Sequence, residues 1–183
     1  YDRGYEKFNG GIVFHNYLTA IDTTRTTINA GDVIDVEDGV EIKCLIVNGE
    51  MSDGNTINLA DDDENGHSVG LLISYGNFKY WTSGDLTGGG LNTVDLESSV
   101  APLVGSVDIL HVNHHGSESS TNQNFVDALS PTLAIISTGD GNNYCHPDST
   151  ILSRLEKAGA QVYLTEKGNG GFLENEIVAN GPI

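Results

Sequence analysis

The second half of the chain alternates short apolar runs with helical segments, and this alternation constrains the fold more than any other feature. Strands and helices that follow one another in this way predict a layered α/β fold, in which helices cover one face of a sheet. Pro131 and Gly159 mark where two of the helices end. The predicted strands and helices occupy residues 107–112, 121–129, 133–137, 148–158 and 161–165.

The first half of the chain is richer in predicted strands. Residues 40–47 alternate polar and apolar side chains and then become apolar, which indicates a half-buried strand. Two further apolar runs flank residues 75–77 and predict a hairpin. We also expect a helix at 92–104 that begins at Asn92 or Thr93. The other predicted elements are a helix near residues 14–18, a strand at 31–36, hairpin strands at 68–75 and 78–82, a polar loop at 48–67 and a closing strand at 172–178.

The charge of the chain is strongly unbalanced. Lys and Arg number 8 against 26 Asp and Glu, which gives a formal net charge of −18 and a pI near 4.3. Such a chain repels polyanions at long range, so a nucleic-acid partner is disfavoured unless cations or a basic patch offset the repulsion. This acidity favours an extracellular or periplasmic location. No apolar run is long enough to predict a membrane-spanning helix.

The chain has two cysteines, Cys44 and Cys145, which lie far apart in the sequence. Two thiols alone cannot complete a tetrahedral zinc site. From the sequence, one disulfide and two unpaired thiols both remain open, so the cysteines do not define the compartment of the protein.

Three polar segments each follow a predicted strand, at residues 82–85, 114–117 and 143–147. Strand ends along one edge of a layered α/β fold are where sites are built, so we expect these segments to lie together. One carboxylate with several imidazoles suits zinc, manganese or iron, and imidazoles also transfer protons. The three segments therefore predict a site that binds metal ions and moves protons.

Each segment also has a purely structural interpretation. Asp85 follows a glycine, as in many ordinary turns. The pair His114 and His115 fits a surface loop or the start of a helix, and His146 fits a turn before proline. Their order and their common placement after strands favour the functional interpretation over the structural one.

Several motifs occur together over about residues 60–178. They are Asn65 with Ser68, Tyr75-Gly76, Ser83-Gly84-Asp85, His114-His115-Gly116-Ser117, the strand at 133–137, Tyr144-Cys145-His146-Pro147 and the run at 159–165. In this order they resemble the metallo-β-lactamase domain of the ComEC DNA-uptake proteins and of their stand-alone hydrolase relatives. The resemblance implies an α/β fold that forms the C-terminal part of a metallo-β-lactamase αββα sandwich. Residues 1–183 would then be a single or partial domain, with an irregular, strand-bearing region at 1–60 and a metallo-β-lactamase-like half at 61–183.

The resemblance also implies roles for four side chains. Asp85 would be the metal-bridging carboxylate, and His114 or His115 the later metal ligand. We assign His114 to the metal, and His115 with His146 to catalysis near the substrate. The implied cofactor is zinc or manganese. The implied reaction is hydrolysis of a phosphodiester or similar ester, on a small molecule or, by family analogy, a nucleic acid.

Two departures from the family pattern shape the expected activity. Cys145 stands where the family usually has glycine, and the family's His-x-His-x-Asp-His segment is absent from the sequence. We therefore expect a fragment that is weakly active or inactive alone, and that forms a homodimer through its uncovered core. The alternative is a non-catalytic binding or scaffold domain that has kept the fold and lost the metals.

A second metal hypothesis concerns the acidic loop that contains Asp61, Asp63 and Asn65. Their spacing matches the first positions of a calcium-binding loop, but Leu72 stands where such a loop needs a bidentate glutamate. A complete EF-hand is therefore excluded, and a looser calcium site and a solvated acidic loop are the two alternatives. The glycines at 88–90 lack the Lys and Ser or Thr of a phosphate-binding loop and predict a flexible turn.

Overall fold

The described residues form one mixed sheet with helices packed against it. The computed structural model describes residues 1–4, 11–21, 25–168 and 177–178. The strands are β1 (Val33–Val36), β2 (Val40–Val47), β3 (Glu50–Met51), β4 (Val69–Tyr75), β5 (Phe78–Thr82), β6 (Ile109–His111), β7 (Leu133–Ile136), β8 (Gln161–Leu164) and β9 (Ile177–Val178). The helices are α1 (Ile12–Ile21), α2 (Glu97–Val104), α3 (Gln123–Leu129) and α4 (Ser149–Lys157).

The sheet changes from antiparallel to parallel pairing at β5. Strands β1, β2, β4 and β5 pair antiparallel in that order, and β3 also pairs with β2. Beyond β5, the strands β6, β7, β8 and β9 add in parallel. Parallel neighbours need a crossover connection, and α2, α3 and α4 supply it between successive strands from β5 to β8. The predicted α/β class is confirmed.

The main hydrophobic core lies between these helices and one face of the sheet. Helix α2 packs against α3, and α3 against α4, and all three contribute to one core cluster. Trp81, Leu110 and Ile136 enter this core from β5, β6 and β7, and all three are fully buried. Phe125 of α3 meets the Trp81 ring edge-on, with the ring centroids 6.1 Å apart. This cluster anchors the strands whose ends carry the polar segments.

Helices α3 and α4 are fixed at both ends by local sequence signals. The Asn122 side chain accepts a hydrogen bond from the Phe125 N–H at 2.9 Å, and the Asp148 side chain accepts from the Thr150 N–H at 2.8 Å. Both are N-terminal caps, which satisfy backbone donors that lack a partner within the helix. The helices end at Leu129 and Lys157, so the stops predicted from the sequence are confirmed to within two residues.

The predicted start of α2 at Asn92 or Thr93 is wrong. Residues 90–92 form a separate 3₁₀ turn, in which Leu91 and Asn92 adopt left-handed φ values of 53° and 62°. A helix cannot run through such residues, and α2 begins at Glu97. There the Asp95 side chain accepts from the Ser98 N–H at 2.9 Å and satisfies one donor of the first turn.

Other boundaries differ from the predictions in smaller ways. The polar loop at 48–67 contains the short strand β3, and β6 is shorter than the predicted run at 107–112. Of the closing strand predicted at 172–178, Ile177–Val178 is a strand and the rest lies outside the described residues. Both cysteines are free thiols, with Cys44 buried and Cys145 exposed. No helix in the described ranges is long and apolar enough to cross a membrane.

The carboxyl ends of the parallel strands place the polar segments along one edge of the sheet. Strand β5 ends at Thr82, β6 at His111 and β7 at Ile136, and the three strands are neighbours. The residues that follow them therefore meet at this edge, as expected for an α/β sheet.

Candidate functional site

Asp85 lies on a turn that Gly84 makes possible directly after β5. Gly84 has a φ of 56°, in the left-handed region that glycine adopts without strain. The Asp85 N–H donates to the Ser68 hydroxyl at 3.2 Å, while the Gly84 carbonyl accepts from the His114 N–H at 2.9 Å. The turn after β5 is therefore bonded directly to the turn after β6.

His115 faces the Asp85 carboxylate with one ring nitrogen. Its Nδ1 lies 2.8 Å from the Ser137 carbonyl oxygen, which can only accept, so Nδ1 carries the proton. In the neutral ring Nε2 is then a bare acceptor, and it lies 3.7 Å from Asp85 Oδ1. A histidine whose other nitrogen is held by a carbonyl is oriented as metal-ligating histidines are.

His114 lies beside this pair in a more buried position. Its Nδ1 is 3.0 Å from the Ser119 hydroxyl oxygen. Burial lowers the pKa of His114 below its ordinary value, against the opposing effect of Asp85, and His115 lowers it further. The ring is therefore neutral near neutral pH and can accept a proton or coordinate a cation.

His146 reaches the same edge of the sheet from the loop before α4. Its ring meets His114 edge-on at 5.8 Å between centroids, and Tyr144 stacks on it at 5.7 Å with an interplanar angle of 11°. Burial lowers the pKa of His146, and the neighbouring His114 and His115 lower it further. Tyr144 is 81% exposed, so its outer ring surface is open to solvent.

The donor set matches part of a metal site. Two ligands of a tetrahedral zinc ion, each about 2.0–2.1 Å from the metal, lie about 3.3–3.4 Å apart. The 3.7 Å between His115 Nε2 and Asp85 Oδ1 is within a few tenths of that separation. Within the described part of the chain, no group of three or more His, Cys, Asp or Glu side chains is arranged to hold a metal ion. The described residues therefore place one imidazole nitrogen and one carboxylate oxygen at a separation that two ligands of a metal ion could have.

The structure brings together the four side chains that the sequence singled out. Asp85, His114, His115 and His146 lie together at one edge of the sheet. The nitrogen that directly faces Asp85 belongs to His115 rather than to His114. The division of the two histidines between metal and substrate stays a prediction.

Sequence reasoning gave no role to His111, the last residue of β6. Its Nδ1 lies 3.0 Å from the Thr82 hydroxyl and its Nε2 lies 2.8 Å from the Ser137 hydroxyl. His111 thus joins the ends of β5, β6 and β7 behind His115, and burial lowers its pKa. The one available signal was an imidazole on the same strand face as Ile109, at the end of a buried strand.

The acidic loop shows local hydrogen bonding. Asp63 accepts from the Gly66 N–H at 2.9 Å, which is a turn formed by the aspartate side chain itself. The calcium site predicted at Asp61, Asp63 and Asn65 stays a prediction.

Gly116 holds the histidine turn against the loop that carries His146. Its φ is 75°, and an added Cβ would lie 2.8 Å from Pro147 Cβ. We expect Gly116→Ala to lower the free energy of unfolding by about 1–3 kcal/mol, because it combines backbone strain with a steric overlap. Chemical denaturation measures this loss.

Gly159→Ala is the matched control for Gly116→Ala. Gly159 has a φ of 82°, and nothing lies within 4 Å of its added Cβ, so it reports backbone strain alone. The loss should be smaller than for Gly116→Ala. Equal losses would mean that the contact with Pro147 contributes nothing.

Comparison with known proteins identifies relatives over part of their length. The chain is 30% identical over 140 residues to ComE operon protein 3 of Bacillus subtilis (strain 168), covering 76% of this chain and 16% of that protein. It is 31% identical over 107 residues to Recombination protein 2 of Haemophilus influenzae, and the match covers 58% of this chain and 12% of that protein. It is 32% identical over 106 residues to Competence protein ComA of Neisseria gonorrhoeae, and the match covers 57% of this chain and 15% of that protein. The matches thus span 12–16% of these curated relatives.

No family model matches the chain. Among solved structures, CmlA, a diiron beta-hydroxylase from Streptomyces venezuelae, aligns with a TM-score of 0.47 and 15% identity, covering 75% of this chain and 32% of that chain. A structural similarity at this TM-score gives no information about the chemistry of this chain.

Proposed function

The chain corresponds to a segment of the ComEC-like proteins of the metallo-β-lactamase superfamily, and on this basis we propose that it carries part of a metal-dependent hydrolytic site for phosphodiesters. The observation that carries the proposal is the pairing of Asp85 with a histidine whose tautomer is fixed. The Ser137 carbonyl holds Nδ1 of His115, so that the bare Nε2 faces the Asp85 carboxylate at 3.7 Å.

Asp85 and His115 would hold a divalent transition-metal ion from one side, with zinc or manganese as the expected metals. Both side chains reach solvent, with exposed fractions of 40% and 53%, so the position is open to an ion and to substrate. Further ligands would come from outside the described part of the chain. When bound, such an ion supplies Lewis-acid stabilisation to a phosphoryl oxygen.

The neutral imidazoles of His114 and His146 would accept and donate protons at the substrate. Burial keeps the pKa of both rings below the ordinary value, so each can accept a proton near neutral pH. The Ser119 hydroxyl at 3.0 Å orients the His114 ring, and Tyr144 orients the His146 ring by stacking. Either histidine could then donate that proton to a leaving oxygen.

The acidity of the chain bears on the substrate. With a net charge of −18, the chain gives a polyanion no favourable long-range field, so attraction of the phosphodiester would depend on the bound cation. The names of the relatives refer to competence and recombination, which supports a nucleic-acid phosphodiester as the substrate class. A small phosphodiester remains the alternative.

Hydrolysis of bis(p-nitrophenyl) phosphate in the presence of zinc or manganese tests this function. We expect slow, metal-stimulated turnover that falls by about 100-fold or more in Asp85→Asn and in His115→Gln, because each removes a ligating or charge-stabilising group. Asp35→Asn, the same change at an exposed aspartate of β1, should leave the rate unchanged. Turnover that needs no metal, or that survives Asp85→Asn, would contradict the proposal, and a complete lack of metal-stimulated turnover would favour the non-catalytic binding domain.

A further inference from the structure

Glu97 is a buried carboxylate close to the site, and it has no role in the proposed hydrolysis. Glu97, the first residue of α2, has no exposed surface. Its Oε1 accepts from Asn113 Nδ2 at 2.6 Å and from the Thr121 N–H at 2.6 Å, and its Oε2 accepts from the Asn122 N–H at 2.7 Å. A fully buried carboxylate is costly unless its oxygens are satisfied in this way.

The Trp81 indole and the backbone N–H groups can only donate, and they fix the direction of the hydrogen bonds in this network. The Trp81 indole N–H points at Asn113 Oδ1 at 3.4 Å, and the Ser83 hydroxyl donates to the same oxygen at 2.5 Å. The amide nitrogen of Asn113 must therefore face Glu97. Because the other two partners are backbone N–H groups, Glu97 is an acceptor in every contact, and these three hydrogen bonds favour its ionised form against the larger, opposing effect of burial.

The carboxylate fastens both ends of the histidine loop, which we define as residues 113–122. Asn113 is the first residue of this loop, and Thr121 and Asn122 close it. Between them, His114 and His115 adopt left-handed φ values of 49° and 55°, which non-glycine residues keep only when surrounding contacts hold them. Glu97 supplies such contacts at both ends of the segment.

The same network reaches the turn that carries Asp85. Ser83, which bonds to Asn113, directly precedes Gly84 and Asp85 in the chain. The Gly84 carbonyl in turn accepts from the His114 N–H. A displacement of Asn113 would therefore move the carboxylate side and the imidazole side of the site together.

The glycine segment at 88–90 packs directly on this network. A Cβ at Gly88 would overlap Oε2 of Glu97, and the Gly88 N–H donates to the Ser119 carbonyl at 2.7 Å. A Cβ at Gly90 would overlap the backbone carbonyl oxygen of Glu118. These glycines allow close approach of two backbones, so the expectation of a flexible turn is replaced by a packing role.

We propose that Glu97 is a positioning residue that acts through Asn113 to set the separation and orientation of Asp85, His114 and His115. The inference rests on the proposed function of these three residues. Glu97 would contact neither the substrate nor the metal. Its carboxylate keeps the two neighbouring strand ends in one fixed arrangement.

The test is long-range ¹H–¹⁵N spectroscopy of the histidine rings in wild type, Glu97→Gln and Glu118→Gln at pH 8. Glu97→Gln keeps the shape of the side chain but places an NH₂ group against N–H donors. We expect the ring resonances of His114 and His115 to shift or broaden in Glu97→Gln, while those of His67 stay in place. Glu118→Gln makes the same charge change on an exposed residue of the same loop and should leave all rings unchanged.

Zinc affinity supplies the second measurement. In Glu97→Gln it should fall by about tenfold or more, as for other groups that orient ligands from outside the metal shell. Unchanged His114 and His115 resonances in a folded Glu97→Gln protein would overturn the inference. If the wild-type chain binds no zinc, the proposed function fails, while the ring spectra still decide whether Glu97 positions the histidines.

A double variant covers the case in which Glu97→Gln does not fold. In Glu97→Gln with Asn113→Asp the carboxylate moves to position 113, where it accepts from Trp81, from Ser83 and from the new amide at 97. This restores the donor–acceptor match at position 113 but not at Thr121. We expect a folded protein with ring resonances closer to wild type than those of Asn113→Asp alone. No recovery in either folding or ring spectra would contradict the assignment.

Discussion

Replacing Trp81 by alanine is expected to lower the free energy of unfolding by about 3–5 kcal/mol, the largest effect of any single change considered. Trp81 is fully buried, packs edge-on against Phe125, and donates to Asn113 from its indole nitrogen. Alanine would leave a cavity between β5 and α3 and remove one donor of the buried network. Urea denaturation followed by circular dichroism measures the loss, since Trp81 is the single tryptophan of the chain.

Phe78→Ala is the control for this prediction. Phe78 lies on the same strand, but it points to the opposite face and is 43% exposed. Its replacement should cost about 1 kcal/mol or less. Similar costs at Phe78 and Trp81 would mean that the helix-covered face is not the main core.

The second large effect concerns pH and Glu97. Burial raises the pKa of Glu97 from 4.5 to about 7, against the three hydrogen bonds that lower it, and Asp95 raises it slightly more. Since the folded chain holds this proton more tightly than the unfolded chain, the contribution of Glu97 to stability is fully present below pH 4.5 and is lost as pH rises through about 7. The total loss is about 3 kcal/mol.

Urea denaturation at several pH values between 4 and 8 measures this dependence. The other acidic residues also titrate near the lower end, so the informative quantity is the difference between wild type and Glu97→Gln at each pH. That difference should change across the range from 4.5 to about 7. For Glu118→Gln it should stay nearly constant. A flat difference for Glu97→Gln would show that its ionisation is not coupled to folding.

Local signals in the sequence were sufficient to predict many of the helices, strands and turns. The alternation at residues 40–47 matches β2 residue for residue, and the turn after Tyr75 joins β4 to β5 as predicted. Asn122 and Asp148 cap α3 and α4 through bonds to residues two or three positions away. Such features depend on near neighbours, and a sequence read in short windows contains them.

The start of α2 and the role of Glu97 depend on contacts that no short window contains. A glutamate at the first position of a helix is typical of an exposed residue that favours the helix dipole. Its burial follows from bonds to Asn113, Thr121 and Asn122, which lie 16, 24 and 25 positions along the chain. The helix begins later than predicted because Leu91 and Asn92 adopt left-handed conformations, next to the close packing of Gly90 on the Glu118 carbonyl.

The closeness of Asp85, His114, His115 and His146 was predictable from the sequence, but their mutual orientation was not. Strand-end placement and residue type were enough to select Asp85 and the three histidines. Which histidine faces Asp85 depends on left-handed turns at both His114 and His115 and on the Ser137 carbonyl of a neighbouring strand. Neither is encoded in the spacing of the motif.

We propose that Asp85 and His115 hold a divalent metal ion at this edge of the sheet. Equilibrium dialysis of the purified chain against zinc and against manganese, followed by elemental analysis, tests this in wild type, Asp85→Ala and the control Asp35→Ala. We expect bound metal in wild type and in Asp35→Ala, with at least a tenfold weaker affinity in Asp85→Ala, because loss of a direct ligand costs at least as much as loss of an orienting group. No bound metal in wild type, or equal metal in wild type and Asp85→Ala, would contradict it.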